Sequence, residues 1–239
     1  MTPVPRALQL RGMPSPIALA ATWDPALVAR VYAAAAAEAS AGGATLVLGP
    51  SLAVGRDPRR GRIEETFGED PFLVGQLGIS ALEGLQGTLV KGRLATGKVL
   101  AAPTGFAGPG LPRDAAGTAP MADRELRSVY IAPFAEAIGR AHVAAIVPSR
   151  NMLDGVPSHA NPWLLRHVLR EELGFTGTVI ADPEGVGDLS KAYHVARDEK
   201  DAARLARDAG VDAFDSGAAL AQTVANARPK ATKADAAAF

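Results

Sequence analysis

The 239-residue chain carries 25 Lys plus Arg against 25 Asp plus Glu, so its net charge gives no electrostatic ground for a nucleic-acid partner or an anionic membrane. It has no cysteine, which excludes disulfides and thiolate metal sites. Hydrophobic residues make up 48% and charged residues 21%, a globular balance that can bury a sizeable core. The apolar stretch "PIALAA" near the start is too short for a membrane span or a signal-peptide core, so a cytoplasmic location is the default expectation. Aromatic residues are only 5%, few for a site that stacks sugars on rings.

In chain order, "DPALVARVYAAAAAEASAGG" (24–43) places Asp24 as N-cap and Pro25 at the first helical position, and stops at a Gly pair. That pattern predicts a helix. "ATLVLGPSL" (44–52) has the length and composition of a buried strand. "EDPFLVGQLGISALEGLQG" (69–87) repeats the Asp-Pro helix start, and "KVLAAPTGF" (98–106) predicts a second strand. A long amphipathic helix over 123–141 and a strand over 142–149 follow. "NPWLLRHVLREELGF" (161–175) is a helix capped by Asn161 and closed by Gly174, and "GTVIAD" (177–182) is a fourth strand. A helix over 199–210, a possible fifth strand over 211–216 and a last helix, "GAALAQTVANA" (217–227), complete the series.

Strand–helix units at this spacing imply parallel strands joined by crossovers, an α/β fold of (β/α)8 TIM-barrel type. Fewer than eight strands are legible, so the barrel is expected to be incomplete. A single domain over 1–228 and a low-complexity tail over 229–239 are expected. "GFAGPG" (105–110) lacks the G-x-G-x-x-G spacing of a dinucleotide loop, and no cofactor is expected. His142, His167 and His194 show no ligand spacing, so no metal site is expected either.

From "GRDPRRGRIEETFGEDPFLV" (55–74) onward the chain resembles glycoside hydrolase family 3, the barrel domain of β-glucosidases and β-N-acetylhexosaminidases. "ALAATWDPALV" (18–28), "RELRSVYIAPFAEAI" (124–138) and "NMLDGVPSHANPWLLRHVLREELGFTGTVIADPEGV" (151–186) carry the likeness in order, over roughly positions 14 to 215. The resemblance implies retaining hydrolysis of a β-glycoside, in which an Asp at the end of a barrel strand attacks the anomeric carbon and a second group protonates the leaving oxygen. It places the nucleophile at Asp182 and a sugar-binding Arg at Arg62, with carbohydrate as the implied partner. Trp23 in "TWDP" and Trp163 in "NPWLL" fall on family positions within structural segments, which implies core anchors.

Several positions depart from the family pattern. Where the family carries a Lys-His pair this chain has Thr104 and Gly105, a second His is Pro109, and the aromatic after the nucleophile is Pro183. Arg150 stands where the family has a Tyr; it is placed among the substrate-binding residues and is expected to pair with Asp182. Asp154 and His159 are the possible acid/base, although His159 matches the G-V-P-x-H-A-N motif and reads as structural. Arg62 is equally open to a buried ion pair with Glu65, Glu69 or Asp70, while Glu184 and Asp188 read as solvated loop acids. Asp182 itself has a structural alternative, an acid that fixes the turn before Pro183.

With these replacements the implied function is a β-glucosidase-like domain degenerate in its site, with weak or no hydrolysis. Two alternatives stay open: an active retaining β-glycosidase using Asp182, and a non-catalytic sugar-binding or oligomeric scaffold that associates through unpaired barrel edges.

Overall fold

The computed structural model of the chain describes residues 13–57, 61–87, 94–109 and 121–214. The helix expected over 217–227, the tail over 229–239 and the end of the strand expected over 211–216 lie outside the described residues. The strands are β1 (Leu46–Ser51), β2 (Leu100–Phe106), β3 (Ala145–Pro148), β4 (Met152–Leu153), β5 (Val156–Pro157), β6 (Thr178–Ala181) and β7 (Ala213–Phe214). Five of them form one sheet in the order β1-β2-β3-β6-β7, and every adjacent pair is parallel. β4 and β5 make a separate antiparallel hairpin. The fold is α/β of TIM-barrel type, with five parallel strands among the described residues against eight in a closed barrel.

Both faces of this sheet are apolar, as a parallel sheet covered on both sides requires. Ala102, Ala145, Val147 and Ile180 cluster on one face with Leu46, Leu48 and Ala213. Their chain neighbours Val47, Ala101, Ile146 and Val179 belong to the larger core beneath the helices. The alternation follows from the two-residue period of a strand. Phe106 and Phe134 meet edge-on in that larger core, with ring centroids 5.2 Å apart.

The helices are α1 (Pro16–Ala20), α2 (Pro25–Ala41), α3 (Pro71–Gln86), α4 (Asp123–Glu125), α5 (Ala132–Ala141), α6 (Pro183–Lys191) and α7 (Glu199–Ala209). α4 and α5 are joined by a wide π-helical stretch, Leu126–Ile131, and a second such stretch spans Trp163–Glu172. The widening before α5 fits Pro133, which has no N–H for the normal i→i−4 bond. Asp24 and Asp70 cap α2 and α3 as their Asp-Pro starts predict: Asp24 Oδ1 accepts from the Leu27 N–H at 2.9 Å and Asp70 Oδ1 from the Leu73 N–H at 2.7 Å.

Two expectations are corrected. Glu184 and Asp188 are not in a loop but on the helix α6. The tryptophans are not core anchors: Trp23 is 73% exposed, in a left-handed corner with φ 53° between α1 and α2, and Trp163 is 39% exposed with the Arg127 guanidinium over its ring.

α2 packs on α3, and α3 on α5. At the first contact Gly84 lets the backbones nearly touch, since a Cβ there would sit 2.5 Å from the Ala29 carbonyl oxygen and 2.9 Å from Tyr32 Cβ. Gly84→Ala is therefore expected to destabilise the fold by about 1–3 kcal/mol despite its better helix propensity. Thermal unfolding measures this as a Tm lower by several degrees; an unchanged Tm refutes the close approach.

Candidate active site

The candidate residues lie along one edge of the sheet. Arg62 is in the loop after β1, Thr104 and Gly105 are within β2, Arg150 is two residues past β3, and Asp182 directly follows β6. Because β1, β2, β3 and β6 are parallel neighbours, these positions gather at or beyond the C-terminal strand ends, where enzymes of barrel type place their chemistry.

Asp182 ends β6 and begins α6 at once. Its Oδ1 accepts from the Glu184 N–H at 2.9 Å and the Gly185 N–H at 3.0 Å, and Pro183 holds the first helical position. This is the same Asp-Pro cap seen at α2 and α3. Asp182 Oδ2 accepts no hydrogen bond among the described residues. The Asp182 N–H in turn donates to His159 Nε2 at 3.1 Å.

His159 is 1% exposed and also hydrogen-bonds the Ser149 backbone. Burial pushes its pKa down to about 4, and the nearby Arg150 charge adds to the effect, against the Ser149 contact and Asp188. Its ring is therefore neutral near pH 7, with Nε2 as acceptor and the proton on Nδ1. Gly185 lies flush against it, since any Cβ at that residue would overlap the imidazole.

Arg150 does not pair with Asp182. Its Nε and NH2 donate to Asp188 Oδ2 at 3.2 and 2.8 Å, and NH1 donates to Glu184 Oε2. Burial works against the Arg150 charge, but hydrogen bonding to Asp188 and the nearby carboxylates outweigh it and raise the pKa above its ordinary value. Asp188 is accordingly no solvated loop acid; it lies on α6 and is 3% exposed. The Tyr193 hydroxyl donates to the Arg150 carbonyl. Sequence reasoning misread Asp188 as a loop acid and missed Tyr193; once Asp182-Pro183 is recognised as a helix start, Asp188 falls on the second turn of that helix.

The remaining candidates do not converge on Asp182 through hydrogen bonds. Arg62 pairs with Glu65 at 3.7 Å and both are exposed, so this is not a buried pair. Gly105 has φ +98°, and a Cβ there would come within 3.0 Å of Ala53 Cβ. The Thr104 carbonyl accepts from the Leu52 N–H at 3.1 Å, tying β2 to the segment after β1. Pro109 follows the Ala107–Gly108 bend after β2. Asp154 occupies the tip of the β4–β5 hairpin with φ 47° and accepts from the Met121 N–H at 3.1 Å. Among the described residues no group of three or more His, Asp or Glu gathers to hold a metal, and no helix is long and apolar enough to cross a membrane.

A parallel sheet of barrel type, with a carboxylate and arginines gathered at its C-terminal strand ends, places the chain in the class of TIM-barrel-type domains. Residues 5–224 match the N-terminal domain of glycosyl hydrolase family 3, and the chain belongs to that family. It is 40% identical over 204 residues to a β-xylosidase of Formosa agariphila, covering 83% of this chain and 28% of that protein. To a β-glucosidase of Rhizobium radiobacter it is 35% identical, over 77% of this chain and 22% of that protein. A solved β-glucosidase from Erythrobacter marinus superposes with a TM-score of 0.82 at 33% identity, over 90% of this chain and 28% of that one. One from Listeria innocua, in complex with glucose, superposes with a TM-score of 0.78 at 35% identity, over 84% and 28%. The chain thus spans about a quarter of the length of these relatives.

The buried neutral His159 makes stability depend on pH. Its folded pKa of about 4 lies below the ordinary 6.5, so as pH falls between these values the unfolded chain binds a proton that the folded chain refuses. Stability is expected to drop through that window by about 3 kcal/mol from this residue, with no further loss from it below the folded pKa. Denaturant titrations from pH 7 to pH 4, compared with His159→Gln, measure it; equal slopes in both proteins refute the assignment.

Proposed function

We propose that this chain binds a β-glucoside or β-xyloside at the C-terminal strand edge and by itself hydrolyses it weakly or not at all. The observation that carries this reading is His159: both its ring nitrogens are engaged with backbone and its burial keeps it unprotonated. It cannot serve as the proton donor that glycosidic cleavage needs. Asp154, the other candidate, is held on a hairpin tip by Met121. Absence of a general acid removes about 10²–10⁴ in rate.

Further support comes from the sugar-binding positions. Thr104 and Gly105 offer no cationic donor, and each missing charge-assisted hydrogen bond costs about 1.5–3 kcal/mol of glycone binding. Arg150 is occupied by Asp188 and Glu184. The cytoplasmic expectation remains part of this proposal; the relative from Salmonella typhimurium, 32% identical, is named a periplasmic β-glucosidase.

One observation favours a second reading, an active nucleophile awaiting an acid from another segment or chain. Two N–H groups hold Asp182 Oδ1, and this orients Oδ2 with a lone pair free to attack an anomeric carbon. In that step Oδ2 forms a glycosyl ester while the leaving oxygen departs with the bonding electrons. A dinitrophenolate leaves without needing a proton, so it separates the two readings.

With nitrophenyl β-glucoside and β-xyloside the expected result is no steady turnover, while saturation-transfer NMR detects binding of the methyl β-glycosides. Steady turnover that disappears in Asp182→Asn overturns the weak-hydrolysis proposal. Dinitrophenyl glycosides then test the second reading: a burst of dinitrophenolate and a protein heavier by one glycosyl unit, both absent in Asp182→Asn, establish the nucleophile, and their absence in the wild type removes it.

A further inference from the structure

A cavity of about 340 Å³ lies at the opposite edge of the sheet from Asp182, lined by Arg166, Arg170, Arg207, Val211, Asp212 and Phe214. Arg170 fixes its position. The Arg170 NH1 donates to the carbonyls of Phe175 and Gly177, just before β6, and its NH2 donates to Asp212, just before β7. The cavity therefore sits at the N-terminal ends of β6 and β7, away from the candidate active site.

One guanidinium on its wall has no carboxylate partner among the described residues. Arg170 is neutralised by Asp212. The Asp208 carboxylate is shared between Arg204 and Arg207. Arg166 has only a neutral partner, the Asp208 carbonyl, which accepts from its Nε at 3.2 Å, and among the described residues no carboxylate pairs with it. Gly210 stands behind this side chain in a left-handed turn with φ +118°, where a Cβ would come within 3.3 Å of Arg166 Cγ. The absence of that atom leaves the Arg166 stem room to lie along the cavity wall.

We propose that this cavity is a binding site for a compact molecule bearing an oxyanion, phosphoryl or carboxylate, with Arg166 as the recognising group. A planar guanidinium presents paired donors that match two oxygens of either group, and among the described residues its charge has no counter-ion to displace. Val211 and Phe214 supply an apolar wall for the body of the ligand, and the volume is at the lower end of the range for small-molecule pockets. The site does not depend on the glycoside reading, since it shares no residue with the edge around Asp182.

Amide NMR titrations of the full chain at low ionic strength test this, with inorganic phosphate, glucose-6-phosphate, glucuronate and, as neutral control, glucose. Phosphate and glucose-6-phosphate are expected to shift resonances of residues 166, 170 and 207–214, and glucuronate distinguishes carboxylate from phosphoryl recognition; glucose leaves these resonances in place. Arg166→Gln, on an exposed helix face and unchanged in Tm, is expected to weaken binding by about tenfold or more, with Arg166→Lys intermediate because it keeps the charge and loses the fork. No shift with any of the three anions, or equal binding by wild type and Arg166→Gln, overturns the proposal.

Discussion

The Asp182 turn is the junction on which the candidate site depends. One carboxylate oxygen caps α6 through two N–H groups, while the backbone N–H of the same residue is received by His159 from the segment after the β4–β5 hairpin. Strand end, helix start and a distant loop are thereby joined at one residue. The joint works only because His159 is kept neutral by burial: a protonated ring has no lone pair on Nε2 to accept that N–H. Gly185 is part of the same constraint, since only a residue without Cβ lets α6 start against the imidazole.

Around this joint the electrostatics have been rearranged relative to what the family pattern implies. Arg150 reaches past Asp182 to Asp188 and Glu184, one turn apart on α6. A guanidinium can satisfy two carboxylates at once, and the buried Asp188 has much more to lose from an unpaired charge than Asp182, which already has backbone donors. The pair thus clamps α6 to the end of β3, and the Tyr193 hydroxyl on the Arg150 carbonyl reinforces it. A side chain committed to holding a helix in place is poorly suited to follow a substrate.

Much of the fold was legible because its signals are local. Asp24-Pro25 and Asp70-Pro71 mark helix starts, the Gly42-Gly43 pair and Gly174 mark ends, and short apolar runs of strand length fall between them. The Asp182-Pro183 pair bears the same signal, yet the short α6 has Gly185 and Gly187 within it, which weakens its helical pattern against the strand that precedes it. Trp23 shows the opposite error, because a family position within a structural segment suggests a core anchor, and only the corner it sits on turns it outward.

By itself the sequence determined the alternating strand–helix order, the parallel α/β class, the family, and the presence of a carboxylate at the end of β6. The order and class follow from period and capping chemistry, which are properties of neighbouring positions, and the family from the resemblance of its motifs in sequence order. Only the tertiary structure decided what each polar group touches: that Arg150 takes Asp188, that His159 serves the Asp182 backbone, and that Arg166 has no counter-ion among the described residues. Such pairings join residues separated by many positions in the chain, and burial, which no local pattern reports, sets both their protonation and their partners.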